Sequence, residues 1–149
     1  MDTIPQRSHL AKFYRGILAA LEGSLIFPFR KPEYYQVVGL LLSVSLLFID
    51  STVLKIVLVT TILILDWYDG AAARKFGVAT RAGWMSDVAI DRMSEGFIFI
   101  AEIGNPMGKV LFFLFIVNIF LSFHAIGSKT SYLLAIRFFY LVVLIASLL

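Results

Sequence analysis

Apolar residues in this chain come in long blocks, and polar residues gather in the short intervals between them. Five blocks stand out, at about 34–49, 52–65, 84–103, 110–123 and 132–149. They are longer than ordinary strands and lack strand-like alternation, so they predict helices. At 1.5 Å per residue several reach only about 20–27 Å, so the helices are expected to extend beyond their apolar cores. The stretch ahead of the blocks has another pattern. Leu10, Phe13, Ile17, Leu18 and Leu21 recur at helical spacing on one face, Lys12, Arg15 and Glu22 point elsewhere, and Ser8 is placed to cap. This predicts an amphipathic helix, lying in a headgroup plane or packed on the protein's own membrane face. Gly23 and Pro28 end that pattern, and Gly104–Asn105–Pro106 marks a turn between the third and fourth blocks.

Composition turns this pattern into a class. Of 149 residues 60% are hydrophobic, and mean hydropathy is +0.89, whereas soluble domains hold about 45–50% apolar residues. The expectation is an all-α, multi-pass membrane helix bundle of about five transmembrane helices. Residues 1–31 form a cytoplasmic juxtamembrane segment and 32–149 the transmembrane domain. The net charge is +3. Its basic residues fall before the first block (Arg7, Lys12, Arg15, Arg30, Lys31) and between the second and third (Arg74, Lys75, Arg81). Both regions are therefore expected on the cytoplasmic side, facing anionic lipid. The basic residues form no continuous stripe, so no nucleic-acid partner is expected. Charges interrupt any leader-like apolar run near the N-terminus, so no secretory leader is expected. With no cysteine there is no disulfide.

Against this background the interval between the second and third blocks is anomalous, because it holds four aspartates. Asp66 and Asp69 are three apart and Asp87 and Asp91 four apart, so each pair shares a helix face. The short connection at 75–80 predicts antiparallel neighbouring helices with both pairs converging at the cytoplasmic end. Ionised carboxylates there repel one another and cost about 2.5–3.5 kcal/mol each at a helix centre. Protonation, basic partners or bound cations must offset this. All-oxygen donors suit Mg²⁺, Mn²⁺ or Ca²⁺, and His9 and His124 are remote. Gly70, Ala71, Ala72, Ala73 and Gly83 leave room either for a bulky anionic ligand or for close helix packing. Arg74 offers phosphate a planar fork.

The spacing Asp66-x₂-Asp69-Gly70-x₂-Ala73-Arg74-x₈-Gly83-x₃-Asp87-x₃-Asp91 resembles the signature of the CDP-alcohol phosphotransferases (CDP-alcohol phosphatidyltransferases) with every position filled. The entry to the first block, KPEYYQVVGLLLS, is weakly similar to theirs. The resemblance implies an amphipathic N-terminal helix and membrane helices, usually six, one more than the blocks here. It implies transfer of a phosphatidyl-type group from a CDP-linked lipid, such as CDP-diacylglycerol, to a small alcohol or polyol phosphate. CMP is released, in phospholipid biosynthesis. Two Mg²⁺ or Mn²⁺ ions are implied, the first on Asp66, Asp69 and Asp87, the second bordered by Asp87 and Asp91. Asp91 would be the general base. Asp66, Gly70, Ala73, Arg74 and Gly83 would line the CDP site. A homodimer is commonly implied as well.

Acceptor-phosphate candidates are Arg92, Lys129 and Arg137. Arg92 can instead pair with a carboxylate, and Arg137 either snorkels or faces the cavity. Glu95 continues the Asp87–Asp91 stripe, extending the cavity or making an interhelical bond. Asn118 and Ser122 read as interhelical hydrogen-bonders. Two other classes account for the aspartates. A divalent-cation transporter leaves the Gly70–Ala73–Arg74–Gly83 frame without purpose. An intramembrane prenyltransferase would separate its aspartate motifs widely.

Overall fold

The computed structural model describes residues 22, 25–127 and 134–149. Most of the expected amphipathic helix, and Lys129, lie outside the described residues. Those described hold five α-helices and no strand: α1 Pro32–Ser45, α2 Thr52–Lys75, α3 Arg81–Ala101, α4 Pro106–Gly127 and α5 Ile136–Ala146. A 3₁₀ turn, Leu46–Phe48, follows α1.

Local chemistry sets the boundaries. Pro32 opens α1 with Glu33 in its first turn, where a fixed φ and a negative charge both suit a helix N-terminus. The α2–α3 corner is built from two complementary caps. Gly77, at φ 67, lets Val78 N–H reach the Ala73 carbonyl at 3.0 Å and its own N–H reach Arg74 at 3.3 Å. This is the Schellman pattern, which only an achiral residue enters without strain. Thr80 then caps α3, its hydroxyl accepting from Gly83 N–H at 3.0 Å. The next corner places Pro106 at the start of α4, as the turn signal predicts, and Asn105 Oδ1 accepts from Gly108 N–H at 2.6 Å.

Packing order departs from the expectation of a plain α2–α3 hairpin. α1 packs against both α2 and α3, α5 packs against α2, and α4 packs against α3. The two aspartate-bearing helices make no extensive contact with each other. Carboxylates line the space between them, and like charges oppose close approach. The apolar core lies away from them, around Val59, Ile62, Ile98, Phe99, Leu111 and Leu144.

Among the described residues two helices are long and apolar enough to cross a membrane, Thr52–Lys75 and Pro106–Ile126. The first and fifth blocks give shorter helices than a bilayer needs. α5 has 11 residues, about 16 Å, instead of the whole of 132–149. α3 gains length at its N-terminal end, but charged residues interrupt its apolar run. Large apolar side chains face outward, among them Phe113 at 64% exposure and Phe120 and Phe123 at 70%. Exposed apolar surface of this extent calls for a nonaqueous or protein neighbour.

Candidate metal and phosphate site

Because α1 sits between α2 and α3, three helices supply the site. Asp66 and Asp69 come from the second half of α2, and Asp87 from the second turn of α3. One carboxylate oxygen from each lies within 4.8 Å of the others. Asp69 is almost wholly buried, at 4% exposure, while Asp66 and Asp87 are partly buried. Gln36 of α1 donates from Nε2 to Asp87 Oδ1 at 3.3 Å. Its Oε1 is buried without a hydrogen-bond partner. An orphaned amide oxygen beside three carboxylates is a donor set suited to a hard divalent cation, so the residues present fit the implied metal. Gln36 escaped the sequence reading. Its signal was a lone amide in the first apolar block, which looks like any interhelical hydrogen-bonder.

Asp91 lies outside the three-aspartate group but lines the same cavity as Asp66 and Asp69, and Arg137 of α5 holds it, Nη2 to Oδ1 at 2.6 Å. The same nitrogen is 3.3 Å from Asp66 Oδ2, and Arg137 Nε is 3.8 Å from Glu95 Oε1. Of the two readings of Arg137 the structure shows the cavity-facing one. It is buried, at 7% exposure. Arg92 likewise pairs with a carboxylate, Glu95 Oε2 at 2.8 Å. Its guanidinium therefore turns to Glu95 and not to an open acceptor site. Glu95 also accepts from Asn118 Nδ2 at 3.3 Å, so Asn118 is interhelical as expected. Asn118 further fixes Leu134, accepting from its N–H at 2.9 Å and donating to its carbonyl at 3.1 Å. That contact anchors the chain just before α5 and thereby places Arg137. Ser122 differs from expectation, its hydroxyl bonding Asn118 O one turn back in the same helix at 2.8 Å.

A small cavity of about 20 Å³ runs among these groups, lined by Gln36, Asp66, Asp69, Asp91, Ser94 and Arg137. The signature's other residues lie beyond the lining of this cavity, toward the α2–α3 corner. Arg74 is exposed at the end of α2 and bonded to Glu22, with Nε to Oε2 at 3.3 Å. Gly70 underlies it, since a Cβ there would sit 3.2 Å from Arg74 Nη1. Gly83 has a local task too, because a Cβ there would crowd the Thr80 hydroxyl at 3.3 Å. The segment before α1 folds over this end of α2. Lys75 Nζ donates to Leu25 O at 3.2 Å and lies 4.7 Å from the Phe27 ring centroid, and Tyr35 hydroxyl bonds Phe29.

The chain is thus a helical bundle whose carboxylates converge from separate helices beside the Arg137 guanidinium, a donor set suited to a hard cation. The CDP-alcohol phosphatidyltransferase model matches residues 34–147, and the chain belongs to that family. Its members are phosphotransferases that move a phospholipid head group between a CDP-linked compound and an alcohol. No curated protein and no solved structure matches the chain.

Proposed function

We propose that this protein transfers a phosphatidyl-type group from a CDP-linked lipid, such as CDP-diacylglycerol, to the hydroxyl of a small alcohol or polyol phosphate, at the cytoplasmic face of the membrane in which its helices are embedded. The observation that carries the reading is the approach of Asp66, Asp69 and Asp87 within 4.8 Å across two helices of the family signature. Asp66, Asp69 and Asp87 would hold a first Mg²⁺ or Mn²⁺, with Gln36 Oε1 beside them, and Asp87 and Asp91 would border a second. Divalent cations held there would supply charge neutralisation for a diphosphate and for the leaving CMP.

The chain's own residues supply the rest. Arg74 presents its fork to the donor's phosphates at the cleft mouth. Gly70, Ala73 and Gly83 keep that approach free of side chains. Asp91 accepts the proton of the acceptor hydroxyl as its oxygen bonds to the lipid-side phosphorus. The bond from that phosphorus to the bridging oxygen breaks, and CMP carries the oxygen away. Asp91 is effective as a base through position, held by Arg137 at the cavity wall. Arg137 is also the described candidate best placed for an acceptor phosphate, because Arg92 is committed to Glu95.

The test is CMP release from membranes given CDP-diacylglycerol, Mg²⁺ and a panel of alcohols, including glycerol 3-phosphate, inositol 1-phosphate and serine. Release that requires one acceptor and disappears with EDTA is expected. Metal-dependent uptake of cations without CMP would replace this reading with a transporter.

A further inference from the structure

Arg74 is held from outside its own helix. Glu22, from the segment ahead of α1, accepts from Arg74 Nε at 3.3 Å through Oε2, and its Oε1 pairs with Arg74 Nη2. A carboxylate thereby fixes one edge of the planar fork. The remaining nitrogen, Nη1, stands over Gly70, where a Cβ would lie 3.2 Å away. Asp66, Gly70 and Arg74 follow one another at four-residue intervals in α2, so they share a face. We propose that Glu22 is a positioning residue for the donor site. It grips the Nε–Nη2 edge and so keeps Nη1 on the Asp66 face for a phosphate of the CDP-linked donor. This rests on the donor-phosphate role given to Arg74 above and adds what aims that side chain.

Three features support it. The gripping side chain is the more covered of the two, Glu22 at 19% exposure against 37% for Arg74. The fork therefore stays reachable while its partner is enclosed. An arginine fixed before its ligand arrives has less rotamer freedom left to lose on binding. The segment that brings Glu22 is also seated by other contacts. Lys75 Nζ donates to Leu25 O at 3.2 Å, and the Phe27 ring lies 5.6 Å from Tyr68 and 6.0 Å from Phe76. Removing the Glu22 carboxylate thus leaves those anchors in place. Finally, a carboxylate standing in for the phosphate would sit on the nitrogen over Gly70, and Glu22 takes the other two.

Steady-state CMP release by the purified full chain in detergent, with Mg²⁺, CDP-diacylglycerol and the acceptor that supports transfer, tests this. Glu22→Ala should raise the donor KM about tenfold, with kcat and the acceptor KM within about twofold. Glu22→Asp, which keeps the carboxylate on a shorter stem, should recover part of that loss. Arg74→Ala should raise the donor KM at least as much. Adding Glu22→Ala to Arg74→Ala should then change it less than about twofold, because the residue to be aimed is gone. A donor KM that falls in Glu22→Ala makes Glu22 a competitor of the phosphate and overturns the proposal. So does a full Glu22→Ala effect that persists without Arg74, or a loss in kcat with donor KM unchanged. A parent that releases no CMP with any acceptor ends the transfer reading and this proposal with it. A parent that does release CMP, with a donor KM indifferent to Glu22, ends this proposal alone.

Discussion

Asp69 is the most enclosed of the three converging carboxylates, and its neighbours Asp66 and Asp87 are open on one side. A cation entering from the cleft meets the outer pair first and reaches Asp69 last. Asp69→Asn should therefore abolish tight Mn²⁺ binding and CMP release together. Asp91→Asn should separate them, retaining the first ion while lowering kcat by about 10²–10⁴-fold, the usual contribution of a positioned base. Comparing Mn²⁺ affinity with CMP release in the two variants checks this directly. At this scale the chain disclosed much of its chemistry. Two aspartate pairs at helical spacing, and an arginine one turn after the first, are visible in any reading of 66–91. Arg137 and Gln36 were harder. A charged or amide side chain in an apolar block has several physical outcomes, and only the neighbours that tertiary packing brings decide among them.

The helices were legible as elements because their ends are written in local chemistry. Gly77, Thr80, Asn105 and Pro106 each satisfy or omit backbone groups within a few residues. Their order of packing was not legible. α4 is apolar on every side, so periodicity names no preferred face, and nothing local says that α1 sits between α2 and α3. Gly77→Ala should cost about 1 kcal/mol, because a side chain at φ 67 is strained. It should also reduce activity, since the corner sets the spacing of the two aspartate pairs. Gly108→Ala should be worse. Its Cβ would fall 1.7 Å from the Glu102 carbonyl oxygen, so the α3–α4 corner must move, at about 1–3 kcal/mol or more. Thermal unfolding in detergent measures both.

For the molecule as a whole, the proposed embedding makes a geometric prediction. The aspartates lie toward the α2–α3 corner, while Lys55, Glu102 and Asn105 gather at the opposite end of the bundle. The chain has no native cysteine, so single cysteines report sidedness cleanly. Val78→Cys should react with an impermeant maleimide from the cytoplasm, and Lys109→Cys only from the other face. The reverse pattern would invert the orientation. The expected orientation rests on the sequence, whose basic residues cluster near the aspartates. The two short helices, α1 and α5, could not have been foreseen from block lengths alone, because apolar sequence continues past their ends.

Glu102 gathers Lys55 of α2 at 2.5 Å, Tyr140 of α5 at 2.7 Å and Asn105 before α4 at 2.7 Å. Burial works to raise its pKa, but the hydrogen bonds from Lys55 and Tyr140 outweigh it and hold the carboxyl below the usual range. Its stabilisation is thus complete above the ordinary glutamate value and is lost as pH falls through the lower folded-state value. Glu102→Gln should melt earlier than the parent at pH 7, with the gap closing in acid. The same rivet has a mechanical meaning. A bundle pinned at its foot, with acids facing one another at the other end, would work as tongs if ions and diphosphate load there, the jaws drawing together while the hinge end stays still.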